Sequence, residues 1–269
     1  MCIIKIGDSM NDINFLKSNG VDVDAGLDYL EDMETYDETM AEFVRLSSDK
    51  IAKLVTYKVS GDLENYGIIA HSVKSDARYL GFTRLAEMAL AHETEGKNGN
   101  SEFIENNFND FIAEINRMIN VSKSYIGDGE VPASVVEINE TQNKDAAILV
   151  VDDSEMIRNF ICKSIDQTRY DIFIAEEGNK ALEIIKNDND NKIKAIFLDL
   201  NMPGVNGFDV LSYFDENKLF GTYPISIITG ADDRESIDKA FTYPIIDMLV
   251  KPFTEADVKR ILERTLSFK

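Results

Sequence analysis

The sequence holds no tryptophan, two cysteines, two histidines, and 28 basic residues against 49 acidic ones. Each shortage removes a class of function. Cys2 and Cys162 lie too far apart in the chain to form a disulfide framework or, by spacing, a metal-ligand set. A net charge of −21 without a basic stripe argues against direct binding to nucleic acid or to an anionic membrane surface. The Tyr and Phe residues, with no basic residues interleaved, read as core rather than as a base-stacking platform. No apolar run approaches the roughly 20 residues that cross a bilayer. The opening MCIIKIGDSM is too short in its apolar part, and wrongly flanked, for a secretory signal. A cytoplasmic protein is expected.

What is present divides in two. The length of 269 residues suits two units better than one, and 44% hydrophobic residues is ordinary for packed cores. Residues 1–140 carry 26 acids and 12 bases, residues 141–269 carry 23 and 16, so the charge density changes near the middle. From Asp12 to Ile126 the apolar residues recur at helical spacing, as in Met40, Phe43, Val44, Ile51, Leu54 and Val55, or Ile104, Phe108, Phe111, Ile115 and Ile119. Turn-like breaks at Gly61 and before Asn100 separate the helices, which predicts an all-α antiparallel bundle over 1–126. Residues 127–145, with two glycines, a proline and no apolar stripe, read as a linker.

Residues 146–269 change pattern. AILVV at 147–151, IFIA at 172–175, AIFLD at 195–199, ISIIT at 225–229 and IIDMLV at 245–250 are short apolar runs separated by helix-length segments. That alternation predicts a five-stranded parallel sheet covered on both faces, with functional groups at the carboxyl ends of its strands. Asp152 and Asp153 follow the first strand, Asp199 ends the third, Thr229 ends the fourth and Lys251 follows the fifth. Three carboxylates at one edge repel each other unless a cation joins them, and an oxygen-only set suits Mg2+. With a fixed positive charge from Lys251 and a hydroxyl from Thr229, the edge is fitted to a phosphoryl group that one carboxylate can attack. An acidic loop edge with a solvated lysine is the plainer alternative.

The segments LVVDDSEMIR, FLDLNMPGVNGFDVL, SIITGAD and LVKPF resemble the signature of the response-regulator receiver family over about residues 146–267. The resemblance implies an α/β flavodoxin-like fold with Asp199 as phosphoacceptor. It makes Asp153 the direct Mg2+ ligand, assisted by Asp152, with the Asn201 carbonyl and Asp199 completing the set. Lys251 pairs with the phosphoryl group, the Lys251–Pro252 bond is cis, and Thr229 moves toward the phosphoryl group. Receivers often carry an aromatic residue three positions before the lysine; here Met248 stands there, a departure from the family's pattern.

In the helical half, a helix over Glu64–Leu80 places Tyr66, Ile69, Val73, Ala77 and Leu80 on one stripe. Gly67, His71, Lys74, Ser75 and Arg78 fall opposite, on a face expected to be exposed. A surface histidine among helix cations is the plainer reading. An imidazole that is neutral near pH 7, small neighbours that admit a partner, and cations that offset phosphate charge also make a phosphoacceptor. His71-x-x-Lys74, a small residue next, and Leu80-Gly81 resemble the histidine-phosphotransfer (HPt) motif, which makes His71 the phosphorylated residue and Lys74 its electrostatic helper. Asp76 is unusual for that motif and is placed nearer the buried side. His92, at helical spacing with Leu85 and Ala89, reads as packed structure.

No Gly-rich nucleotide loop occurs. Phosphoryl groups must come from a sensor histidine kinase, another receiver or HPt protein, or a small donor. A phosphorelay intermediate is the leading expectation. A phosphorylation-controlled interaction module, whose helical half only docks partners, is the alternative, and an unrelated hydrolase a third. Pairing of two receivers as a homodimer is left open.

Overall fold

The computed structural model describes residues 12–127, 144, 146–230 and 234–268. The expected linker falls outside these except for Gly127 and Lys144, and so do Cys2 and the opening segment. The helical half comprises α1 Ile13–Ser18, α2 Val23–Leu30, α3 Met33–Ser60, α4 Leu63–Tyr79, α5 Thr83–Lys97 and α6 Ser101–Ile126. Short connections make consecutive helices neighbours. Gly61 ends α3 with φ +73°, and Asp62 then caps α4 by accepting from the Asn65 N–H at 3.2 Å. The predicted helix over 64–80 is α4, displaced by one residue at each end.

The second half is the expected α/β fold. Strands β1 Ala147–Val151, β2 Asp171–Ala175, β3 Ile193–Asp199, β4 Ile225–Gly230 and β5 Asp247–Lys251 pair in parallel in the order β2-β1-β3-β4-β5. Helices α7 Glu155–Ser164, α8 Gly178–Asn187, α9 Gly207–Glu216, α10 Arg234–Ala240 and α11 Glu255–Leu266 alternate with them. Because side chains alternate along a strand, β1 sends Leu149 to the α8/α9 face and Ile148 and Val150 to the α7/α11 face. All five expected strands form, with ends shifted by at most two residues.

The core on the α7/α11 side runs without a break into the helical half, joining Ile157 and Phe253 to Leu30, Tyr79 and Phe82. Tyr79 sits at the junction, 1% exposed, its ring 5.7 Å from both Phe160 and Phe253, its hydroxyl accepting from the Phe253 N–H at 2.9 Å. Polar pairs ring this contact: Asn159 donates to Glu42 at 2.8 Å, Arg45 pairs with Glu155 at 2.8 Å, and Lys163 with Glu38 at 2.6 Å.

His92 is packed, as expected: it is 1% exposed, stacks on Phe111 at 4.3 Å and hydrogen-bonds the Tyr66 hydroxyl at 2.7 Å. Burial lowers its pKa to about 4. The unfolded chain, with a histidine pKa of about 6.5, binds the proton more readily, so stability falls as pH drops from about 6.5 to about 4 and is fully present above that window. The loss is on the order of 2–3 kcal/mol. His92→Gln should remove this component, seen as a flatter difference between urea midpoints at pH 7 and pH 4.5.

Candidate active site

The carboxyl edge of the sheet gathers the five residues expected there. Asp152, Asp199, Thr229 and Lys251 are buried at the ends of β1, β3, β4 and β5, and Asp153 keeps partial exposure. Carboxylate oxygens of Asp152, Asp153 and Asp199 lie within 4.8 Å of one another. Lys251 Nζ bridges two of them, 2.7 Å from Asp199 Oδ2 and 2.8 Å from Asp152 Oδ2. The Asn201 N–H donates to Asp199 Oδ1 at 3.1 Å, and the Ser154 N–H to Asp152 Oδ1 at 2.9 Å, so backbone turns fix both carboxylates. The Lys251–Pro252 peptide is cis. Thr229 Oγ1 donates to the Gly230 carbonyl at 3.4 Å. Met248 is half-buried and packs against the α8/α9-side core.

Electrostatics follow from this crowding. Burial pushes the Asp199 carboxyl up to about 8; Lys251 pulls against this, while Asp152 and Asp153 push with it. Asp153 rises to about 6 through burial and the charge of Asp152. Burial works to lower the Lys251 ammonium, but Asp152, Asp199 and Asp153 outweigh it and hold it above its ordinary range. The edge is short of positive charge. Asp153 Oδ1 is buried without a hydrogen-bond partner among the described residues, and the donor set is all oxygen. Those features fit a hard divalent cation such as Mg2+.

On α4 the apolar stripe Tyr66, Ile69, Val73, Ala77 and Leu80 is buried as expected. The opposite face is not exposed. His71 is 1% exposed and Lys74 and Ser75 are 2%, and the carboxyl edge of the sheet lies against His71 and Lys74. A methyl group placed on Gly230, the last residue of β4, would lie 3.3 Å from His71 Cε1 and 3.7 Å from Lys74 Nζ. Gly67 is corrected too: it faces α5, where an added Cβ would meet the Glu93 carbonyl at 3.2 Å, so its smallness serves helix packing rather than access. Arg78 is half-buried at the flank. Asp76 is buried, but at the junction and not in the bundle interior; it pairs with Lys50 and accepts from Ser154 Oγ at 3.4 Å.

One residue of this site escaped the sequence reading. Glu93 on α5 takes the His71 Nδ1–H at Oε1, 2.8 Å away, and pairs with Lys74 at 2.5 Å and Lys97 at 2.9 Å. Burial works to raise its pKa, but the bond to His71 and the nearby cations outweigh this and hold it well below the carboxylate range. His71 is lowered by burial, which the bond to Glu93 opposes and the Lys74 and Lys251 charges reinforce. With Nδ1 donating to a carboxylate, Nε2 keeps its lone pair, and it has no hydrogen-bond partner among the described residues. The signal was there: one carboxylate on the buried stripe of Leu85, Ala89, His92 and Gly96.

Residues 148–263 match the family model for the response regulator receiver domain. Chemotaxis protein CheY1 of Helicobacter pylori is 32% identical over 120 residues, which cover 44% of this chain and 95% of that protein. The two-component response regulator ARR5 of Arabidopsis thaliana is 29% identical over 123 residues, covering 42% of this chain and 67% of the relative. Among solved structures, the chemotaxis response regulator CheY4 of Vibrio cholerae aligns at 26% identity and TM-score 0.41, covering 45% of this chain and 98% of that one.

Proposed function

Because the chain belongs to the response regulator receiver family through residues 148–263, a family that works in two-component signalling by phosphoryl transfer to an aspartate, we propose that it is a phosphorelay intermediate. Asp199 takes the phosphoryl group from a histidine kinase, and His71 exchanges phosphoryl with a receiver aspartate. The observation that carries this is the pairing of two prepared nucleophiles. Asp199 is fixed by Lys251 and the Asn201 N–H, and His71 is fixed by Glu93 with Nε2 unpaired among the described residues.

The chemistry needs little beyond positioning and charge. An Asp199 carboxylate oxygen attacks the donor's phosphorus; the donor N–P bond breaks as an O–P bond forms, giving an acyl phosphate. Lys251, already against Asp199 Oδ2, is placed to meet the added negative charge. Thr229 supplies a hydroxyl at the end of the neighbouring strand. Asp152, Asp153, Asp199 and the Asn201 carbonyl would hold Mg2+, which when bound supplies charge for the phosphoryl oxygens. In the second exchange the His71 Nε2 lone pair attacks phosphorus and a carboxylate leaves, while the proton stays on Nδ1, hydrogen-bonded to Glu93, which steadies the growing imidazolium charge. Lys74 balances the phosphate.

The test is intact-protein mass spectrometry with acetyl phosphate and Mg2+ on the parent, Asp199→Ala and His71→Ala chains. Acid lability marks phosphohistidine and alkali lability the acyl phosphate. Label at Asp199 in the parent and in His71→Ala, label at His71 in the parent, and none in Asp199→Ala are expected. Label at Asp199 with His71 never labelled, even by an added phosphorylated receiver, would leave the second reading. There the helical half is a docking element released by Asp199 phosphorylation, a reading favoured by the aromatic packing of Tyr79 on Phe160 and Phe253.

A further inference from the structure

We infer that the phosphoryl partner of His71 is Asp199 of its own chain. This rests on the relay reading and adds what that reading leaves open, the identity of the exchanging aspartate.

The geometry of α4 carries the inference. His71 lies against Gly230 at the end of β4, and Asp76 accepts from Ser154, just beyond the end of β1. In the sheet order β2-β1-β3-β4-β5, the strand between those two contacts is β3, whose last residue is Asp199. From His71 to Asp76 the helix advances about 7.5 Å along its axis, while two strand spacings measure about 9.6 Å. The helix segment therefore bridges the end of β3, and the two acceptors are enclosed in one junction. Farther along α4, Tyr79 accepts from the Phe253 N–H in the connection between β5 and α11 and packs on Phe160 of α7, so the helix passes from the edge onto the α7/α11 side. Among the described residues a methyl on Gly230 would meet His71 and Lys74 Nζ, so the imidazole and its helper cation both face the site. The Lys251 charge, which pairs with Asp199, is close enough to act on His71.

The enclosure has a chemical purpose. His71 Nε2 is buried without a partner on the described residues, a state that costs free energy and that a catalytic role explains. Beside the acyl phosphate of Asp199 it is a nucleophile excluded from water. Its lone pair forms the N–P bond as the O–P bond to Asp199 breaks, and the carboxylate returns to Lys251. No oxidant, base or further reactant is needed, since the Nδ1 proton remains on the ring. Holding both groups in one molecule makes the step first order, with an effective concentration no dilution can change.

The experiment follows label from Asp199 to His71 in the full chain with acetyl phosphate and Mg2+, over a hundredfold range of protein concentration. The expected first-order rate is the same throughout. A mixture of His71→Ala chain, labelled at Asp199, with Asp199→Ala chain should label His71 at least about tenfold more slowly. Arg45→Glu with Glu38→Lys should slow internal transfer about tenfold and leave Asp199 labelling unchanged; adding Glu155→Arg and Lys163→Glu should restore it. A rate that rises with concentration, or a mixture as fast as the parent, would overturn the inference while leaving His71 a working phosphoacceptor. Absence of label at His71 in every arm would overturn both it and the relay reading.

Discussion

A Lys251→Met chain should take up phosphoryl from acetyl phosphate at Asp199 at least about 100-fold more slowly than the parent. Lys251 is 3% exposed and touches Asp199 and Asp152 at 2.7 and 2.8 Å, so it is a fixed cation against the attacking carboxylate. As charge gathers on the phosphoryl oxygens, a lysine already in place requires no reorganisation. Methionine fills a similar volume without the charge. The fold should survive, because the buried Asp199 carboxylate, with its raised affinity for protons, can take one up rather than remain bare. Rapid-quench mass spectrometry at saturating Mg2+ gives the rate, and circular dichroism checks the fold. A rate within tenfold of the parent would remove Lys251 from the chemistry. Lys251→Arg should not restore activity, since a planar guanidinium cannot replace a compact ammonium between two carboxylates.

Tyr79→Ala should cost about 3–5 kcal/mol in urea unfolding, the range for emptying a buried aromatic site. The ring contacts Tyr29, Phe160 and Phe253, so the cavity opens where the two halves meet. The Phe253 N–H also loses its acceptor. Tyr79→Phe separates the two effects: it keeps the ring and should cost about 1 kcal/mol, the usual value of one hydrogen bond. If Tyr79→Ala cost no more than Tyr79→Phe, the ring packing would contribute little to the junction.

The sheet was legible because β-branched runs of five to seven residues, each ended by a carboxylate, hydroxyl or lysine, leave little choice of arrangement. Asp152, Asp153, Asp199, Thr229 and Lys251 came together as read, since their positions depend only on strand register. His71 and the face of α4 were legible in type but not in surroundings. Helical periodicity says which residues share a face; it does not say what covers that face. The covering came from the other half of the chain, through Gly230, Ser154 and Phe253, and no local pattern encodes a contact across more than 70 residues. Gly67 was misjudged for the same reason: a small residue beside a histidine suits a visiting partner and a neighbouring helix equally. Glu93 was visible as a charge on a buried stripe, but its partner was not.

The unbroken core between the halves has a thermal consequence. An outside protein can reach His71 only after Leu30, Tyr79, Phe160 and Phe253 part company and meet water. Hydration of that apolar surface raises the heat capacity of the opened form. Its population therefore follows a curved rather than exponential course with temperature, least at some intermediate point and larger on either side. Exchange between His71 and an outside protein would inherit that curvature, slowest where the junction is tightest.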